Sequence, residues 1–196
     1  MSKQIIFLLA LIIFSLAASA QEMYYQNSLQ WSPLGVITKS YTLNFEHRFD
    51  AKNGVFAEGS IANSDQVDGY NFTLHYRRYK EPKLGAKYLF FTSKVGVGFL
   101  GFFIRNTDYS GMMEMQEDDE KVKYYFDYSG YYIGANFGKT CLWDSGFSLG
   151  YRFGYGFPIM ADIKWKNEGP LGKEFAESFY IIFSGLDFNM TIGYSF

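Results

Sequence analysis

Apolar and polar residues alternate with a period of two along much of the chain, the pattern that a β-strand turns into two chemically distinct faces. The alternation is strictest at the C-terminus. There Leu186, Phe188, Met190, Ile192, Tyr194 and Phe196 form one row, and Asp187, Asn189, Thr191, Gly193 and Ser195 form the other. Phe147, Leu149, Tyr151, Phe153, Tyr155 and Phe157 oppose Ser148, Gly150, Arg152, Gly154 and Gly156 in the same way. Two earlier stretches repeat it. Tyr41 to Phe49 sets Thr42, Asn44, Glu46 and Arg48 against an apolar row, and Tyr70 to Arg77 does so with Asn71, Thr73, His75 and Arg77. Val55 to Asn63 puts Val55, Ala57, Gly59 and Ile61 opposite Phe56, Glu58 and Ser60. Tyr124 to Gly138 sends Tyr131, Ile133, Ala135 and Phe137 outward, with Gly130, Tyr132, Gly134 and Asn136 inward.

Two further strands complete the reading. Ser28 to Leu34 is the first, ended by Pro33 and a turn near Gly35. Lys94 to Asn106 is nearly all apolar, and Val95, Val97 and Phe99 are taken as outward, with Gly96 and Gly98 inward. Asp50 to Gly54 reads as a hairpin turn, because Asn-Gly accepts the positive φ that tight turns need. A second short turn falls at 139–146, and a polar loop at 64–69. Long loops are expected at 107–122 and 158–182. Residues 80–93, with Pro82, are open between a short helix and an extension of the following strand. The pattern predicts an all-β fold, an eight-stranded antiparallel transmembrane β-barrel in up-and-down meander order.

Composition agrees. Tyr and Phe number 17 and 21, with 20 Gly and four Pro, as expected where aromatics mark lipid interfaces and Gly relieves a narrow lumen. Residues 1–20 read as a cleaved signal peptide: Lys3, an apolar run from Ile5 to Leu16, then Ala18-Ser19-Ala20. That run is too short and wrongly flanked to span a membrane as a helix. The barrel domain is then 21–196. Losing Lys3 from 18 basic residues leaves 17 against 20 acidic, a net charge of −3 that gives no reason to expect nucleic-acid binding. The single Cys141 rules out an internal disulfide.

Candidate chemistry is sparse. Glu46, Arg48, Glu58, Arg77, Arg152 and Asp187, with His75 beside them, all fall on inward positions. An eight-stranded barrel has just enough interior for side chains to fill it, so these charges must pair as a structural network. Glu46 and Arg77 are expected to touch or share a partner, and Asp187 has Arg48, Arg77 and Arg152 as candidates. The alternative is a gated polar path. His47 and His75 have no recognisable Ser or carboxylate arrangement for nucleophilic catalysis, so no enzymatic role is expected. Glu117-Asp118-Asp119-Glu120 lacks the Gly and ligand spacing of a calcium loop and reads as a solvated loop tip. The nearby methionines carry no soft-metal site, and Cys141 reads as a passive thiol in a turn near Trp143, so no metal or cofactor is assigned.

The Asn44-Phe45-Glu46 step, the Tyr76-Arg77-Arg78-Tyr79 step and the terminal Gly193-Tyr194-Ser195-Phe196 resemble small outer-membrane barrels of the Bacteroidetes type. That group is similar in architecture to the OmpA and OmpW barrels, and its members are of unknown function. The resemblance implies an outer-membrane location in a Gram-negative bacterium, a monomer, and contact with lipids and lipopolysaccharide. It also implies that Tyr194 and Phe196 signal to the barrel assembly machinery. It does not carry over the peptidoglycan anchoring of longer OmpA-like proteins. The expected role is non-enzymatic, with a filled polar lumen and exposed loops. Two competing readings stay open: OmpW-like passage of a small hydrophobic molecule through a lateral opening, and a soluble exported barrel with an apolar interior.

Overall fold

The computed structural model describes residues 25–37, 39–64, 66–88, 91–117, 120–167, 170 and 173–196. The expected signal segment lies outside them. Strict alternation becomes strand in β1 (Asn27–Trp31), β2 (Ser40–Arg48), β3 (Asn53–Asn63) and β4 (Val67–Tyr79). Three two-residue strands follow, β5 (Lys83–Leu84), β6 (Lys87–Tyr88) and β7 (Phe91–Thr92). Then come β8 (Val95–Glu117), β9 (Glu120–Leu142), β10 (Phe147–Trp165) and β11 (Leu186–Ser195). One helical turn, α1 (Leu34–Ile37), joins β1 to β2, and α2 (Lys173–Ser184) joins β10 to β11.

The eight long strands pair antiparallel in chain order, with β4 crossing to β8, and β1 pairs with β11. The fold is therefore all-β, a closed eight-stranded antiparallel barrel in meander order. Closure leaves the sheet no free edge along the paired region. Small parity rules decide its inside. Glu46, Glu58, His75, Arg77, Arg152 and Asp187 are buried, and their neighbours Phe45, Tyr76, Phe153 and Phe188 are exposed on the outer wall.

At the end that carries Asn27 and Phe196, here the lower end, two of the three connections are short turns, and the third, 80–94 between β4 and β8, holds β5, β6 and β7. The turn after β2 does not use a left-handed Asn-Gly pair; neither Asn53 nor Gly54 has positive φ. Instead the Asp50 carboxylate accepts hydrogen bonds from the Lys52 and Asn53 backbone N–H groups at 2.6 and 2.8 Å and from the Asn53 amide. These bonds, the Asn53 side chain first, hold the Asp50 carboxyl below its ordinary range. Its help to the turn is thus present above the unfolded-state value and lost as pH falls through the lowered one. The second lower turn, Trp143–Gly146, is shorter than expected, because β9 continues to Leu142. Gly146 there takes φ +84°. Cys141 accordingly sits in β9 and not in a turn; it is buried and unbridged. Residues 80–93 settle as neither option: β5 pairs with Val95 and Gly96 of β8, and β6 pairs with β7.

Three further expectations are corrected, the first near the lower end and the other two at the upper end. Val95, Val97 and Phe99 point inward, at 1, 2 and 4 % exposure, while Leu100, Phe102 and Ile104 face out. The run was apolar on both rows, so periodicity alone had no contrast to work with. Residues 107–117 and 120–122, expected in a loop, are instead the continuation of β8 and β9, which pair without a break from Val95 and Leu142 to Glu117 and Glu120. Their outward positions are polar because that part of the hairpin stands beyond the apolar wall; Glu114 and Lys121 pair across it at 2.9 Å. Of the expected loop at 158–182, residues 158–165 continue β10 and residues 173–182 belong to α2. A β-bulge at Pro158–Met160 re-phases β10, so that Ile163 and Trp165 join Tyr128 and Phe126 on the inner side. A one-residue slip flips every later side chain to the other face, which hid this half of the strand.

The projecting part of β8, β9 and β10 carries an aromatic inner face, and α2 covers it. Tyr180 of α2 packs edge-on against Phe126 and Tyr128, with centroids 4.9 and 5.4 Å apart. Trp165 Nε1 donates to Glu177 of the helix at 2.8 Å. The inward parity of β8 can be checked by cysteine labelling in a Cys141→Ser background. Phe102→Cys is expected to react with a maleimide in the folded protein, and Val97→Cys and Phe103→Cys only after unfolding. The reverse order of reactivity would contradict the register.

Candidate functional site: the lumen charge network and the cavity above it

The barrel interior holds two charged clusters separated by an aromatic ring. In the lower cluster, Glu46 on β2 accepts from Arg48 Nε at 2.9 Å, Arg77 Nη1 at 3.0 Å and the Tyr79 hydroxyl at 2.7 Å. In the upper cluster, Asp187 on β11 accepts from Arg152 Nε at 2.9 Å, Arg105 Nη2 at 2.8 Å and Asn136 Nδ2 at 2.6 Å. Glu58 on β3 takes Arg152 Nη2 at 2.6 Å and Asn189 Nδ2 at 2.8 Å. Phe56 lies between the clusters, with the Arg77 guanidinium 3.6 Å and the Arg152 guanidinium 5.2 Å from its ring centroid. A ring face attracts cations and adds no polar atom needing a partner.

Strand alternation puts these groups together. Each comes from an inward position on a different part of the sheet, and closure of the barrel turns residues distant in sequence into neighbours. Among the described residues four buried guanidinium groups face three buried carboxylates. Every one of the seven has at least one opposite-charge partner. Such pairing is required, since an isolated ion in this interior would cost several kcal/mol, roughly the penalty for burying a charge without a partner.

The predicted residues divide between the clusters. Glu46, Arg48 and Arg77 are brought together below, and Glu58, Arg152 and Asp187 above. Asp187 thus pairs with Arg152 and not with Arg48 or Arg77, which Glu46 holds. His75 stands between Phe56 and Phe103, with ring centroids 5.0 and 5.4 Å away, and bonds Asn136 at 2.9 Å. His47 bonds Asn27 at 2.8 Å near the lower rim. Among the described residues neither imidazole bonds a hydroxyl or thiol. Tyr194 is exposed and stacks on Phe196 with centroids 6.4 Å apart. Of the acidic run, Asp118 and Asp119 lie outside the described residues, between the ends of β8 and β9.

The sequence reading missed Arg105. The outward assignment of Val95 and Val97 would also have sent Arg105 onto the apolar wall. In a membrane barrel that placement costs about 2–4 kcal/mol at mid-depth, so the guanidinium itself was the signal for the opposite parity. Its position matters for more than charge balance. Arg105 Nη1 donates to the Ser184 and Leu186 carbonyls at 3.2 and 2.9 Å. It thereby satisfies the C-terminal end of α2, where helix carbonyls lack internal donors. Tyr79, Phe56 and Asn189 were also unassigned, because alternation says which face a residue occupies and not whom it meets.

Above the upper cluster lies an open cavity of about 320 Å³. Its floor is Glu58, Asp187, Arg105 and Arg152, its walls include Thr42, Ser60 and Asn71, and Leu186 and Phe188 stand at one lip. Below Arg152 the interior closes to a space of only about 10 Å³, bounded by Arg77, Phe99 and Thr140. Chemically the arrangement is a plug below a polar vestibule. No family model, curated protein or solved structure matches this chain.

Removing the hub carboxylate should be costly. Asp187→Ala is expected to destabilise the barrel by about 3–5 kcal/mol, as breaking a buried ion pair does. Asn136→Ala, which removes one neutral donor, should cost about 1–3 kcal/mol. Urea unfolding in detergent measures both, and equal midpoints for the two variants would contradict the hub assignment. Arg105→Ala should also expose α2 to limited proteolysis within residues 173–184 faster than Arg48→Ala does. Equal cleavage rates would show that the helix does not depend on the Arg105 contact.

Proposed function

We propose that the protein is a non-enzymatic integral outer-membrane β-barrel of a Gram-negative bacterium, with a plugged polar lumen and an exposed extracellular projection. One observation carries this reading: the barrel is apolar outside and charged inside. Every one of the eight long strands exposes a large apolar side chain, as Trp31, Leu43, Ile61, Phe72, Phe102, Ile133, Phe153 and Phe188 illustrate. Soluble monomers rarely expose contiguous apolar patches beyond a few hundred Å², and a continuous belt needs lipid around it. An exported soluble barrel would need the reverse arrangement.

The asymmetry of the two ends supports a sidedness. Two short turns at the lower end, after β2 and after β9, and the long excursion of β8, β9 and β10 at the upper end suit the periplasmic and extracellular ends of such barrels. β8 has 23 residues. At ~3.3 Å per residue it is far longer than the ~25 Å apolar band requires even when tilted. The surplus is the projection that α2 covers. The aromatic terminal strand with Tyr194 and Phe196 suits recognition by the barrel assembly machinery, and the belt suits outer-membrane lipids and lipopolysaccharide. The protein acts as a monomer in this reading. Similarity to the OmpA and OmpW barrels extends to architecture only. Passage of a small hydrophobic molecule is disfavoured, because the vestibule floor is ionic and Thr42, Ser60 and Asn71 stand in its walls.

Detergent-extracted protein should run at a different gel mobility before and after heating, and liposomes containing it should stay closed to small solutes. A chain that remains soluble without detergent would refute the membrane reading. Sugar-permeable liposomes would refute the plug while leaving the location intact.

A further inference from the structure

The barrel wall has a notch in its upper rim at the seam where its first and last strands meet. β1 stops at Trp31, which lies opposite Ile192 of β11 on one side and Leu43 of β2 on the other. Both neighbours run on upward, β2 through Thr42 to Ser40 and β11 through Thr191 to Leu186. Among the described residues no strand lies beside Leu186–Thr191 on that side. The chain crosses the gap through Ser32, whose backbone N–H donates to the Thr42 carbonyl at 3.2 Å. The Ser32 hydroxyl donates to Asn189 Oδ1 at 2.6 Å. The vestibule opens at this notch, which is why both faces of β11 border it: Asp187 and Asn189 from inside, Leu186 and Phe188 from the outer wall.

The chemistry of the cavity selects its occupant. Two guanidinium groups and two carboxylates form the floor, and they already neutralise one another through Arg105–Asp187, Arg152–Asp187 and Arg152–Glu58. The floor is therefore balanced in charge, with no excess of either sign to select an anion or a cation. An apolar occupant would strand the hydroxyl and amide lining away from water, which is costly for every group left without a partner. A neutral group rich in hydroxyls has no such conflict, since each hydroxyl both donates and accepts. At about 320 Å³, the space falls at the lower end of small-molecule sites, which begin at roughly 300 Å³. Outside the notch, Phe188 and Leu186 on one side and Tyr41 on the other are exposed, an apolar lip suited to an alkyl chain.

We propose that the notch vestibule binds the neutral, polyhydroxylated headgroup of a membrane amphiphile, with its alkyl tail lying outside over Leu186 and Phe188. The proposal rests on the outer-membrane reading for the tail, and on the cavity chemistry alone for the head.

The test uses the full chain refolded in lauryldimethylamine oxide and followed by native mass spectrometry. Three octyl amphiphiles differing only in headgroup are titrated in: octyl glucoside, octyl sulfate and octyltrimethylammonium. Free glucose is a fourth arm. A one-to-one glucoside adduct is expected, at least tenfold tighter than either charged amphiphile or free glucose. Asn71→Trp and Ser60→Leu, which fill the vestibule from two different strands, should each weaken it at least tenfold. Equal retention of all three amphiphiles would overturn the proposal in favour of adsorption to the wall. So would an adduct unchanged in whichever variant shows the heat-dependent mobility of folded barrel. Glucose binding as tightly as octyl glucoside would overturn the amphiphile assignment. Solubility without detergent, by contrast, would sink the membrane reading whatever the adducts show.

Discussion

A narrow closed sheet that carries charge on its inner face has one overriding requirement: each ion must find its counter-ion within the lumen. Asp187 is where that requirement is concentrated. It sits 2 % exposed on the last strand and gathers Arg152 from β10, Arg105 from β8 and Asn136 from β9. Through Arg152 it is tied to Glu58 on β3. One carboxylate therefore links both halves of the sheet across the lumen. The strand ladders set the register, and this cross-lumen pairing disfavours registers that would strand an ion.

The same network reaches out of the lumen. Arg105 holds the Ser184 carbonyl at the end of α2, and Gly156 donates to the Gly185 carbonyl at 2.7 Å. None of the helix residues is fully buried, so its position depends on these end contacts and on Tyr180 seated against the aromatic inner face. Phe103 shows how the packing beneath is accommodated: a Cβ added to Gly134 or Gly156 would come within 2.6 or 3.0 Å of its ring. The inward glycines are the space that a large lumen aromatic occupies. The plug, the vestibule and the helix over the projection are thus parts of one packed system.

The notch shows a different principle. A barrel normally abolishes sheet edges, yet here β1 is too short to cover β11 along its whole length. Ser32 and α1 carry the chain past the gap with side-chain and turn contacts in place of a ladder, and the vestibule opens beside them. That substitution puts polar side chains at the height of the apolar wall, next to exposed Phe188 and Tyr41. A site of mixed character follows from the unequal strand lengths alone.

How much of this was readable along the chain depends on contrast. Where apolar and polar rows differ, as in Tyr41–Phe49, Phe147–Phe157 and Leu186–Phe196, period two alone determined strand, face and the inward set Glu46, Arg48, Glu58, His75, Arg77, Arg152 and Asp187. The steric rule behind it is local, since successive side chains must point to opposite faces. In Val95–Phe103 both rows were apolar, and at Pro158–Met160 a bulge re-phased the pattern, so the local rule had nothing to act on or was interrupted. Which carboxylate meets which guanidinium, the joining of β8 and β9 into a projecting hairpin, the seat of α2 and the notch were decided only by tertiary structure. They depend on the relative lengths and stagger of strands far apart in sequence, quantities that closure of the barrel sets and no local pattern records.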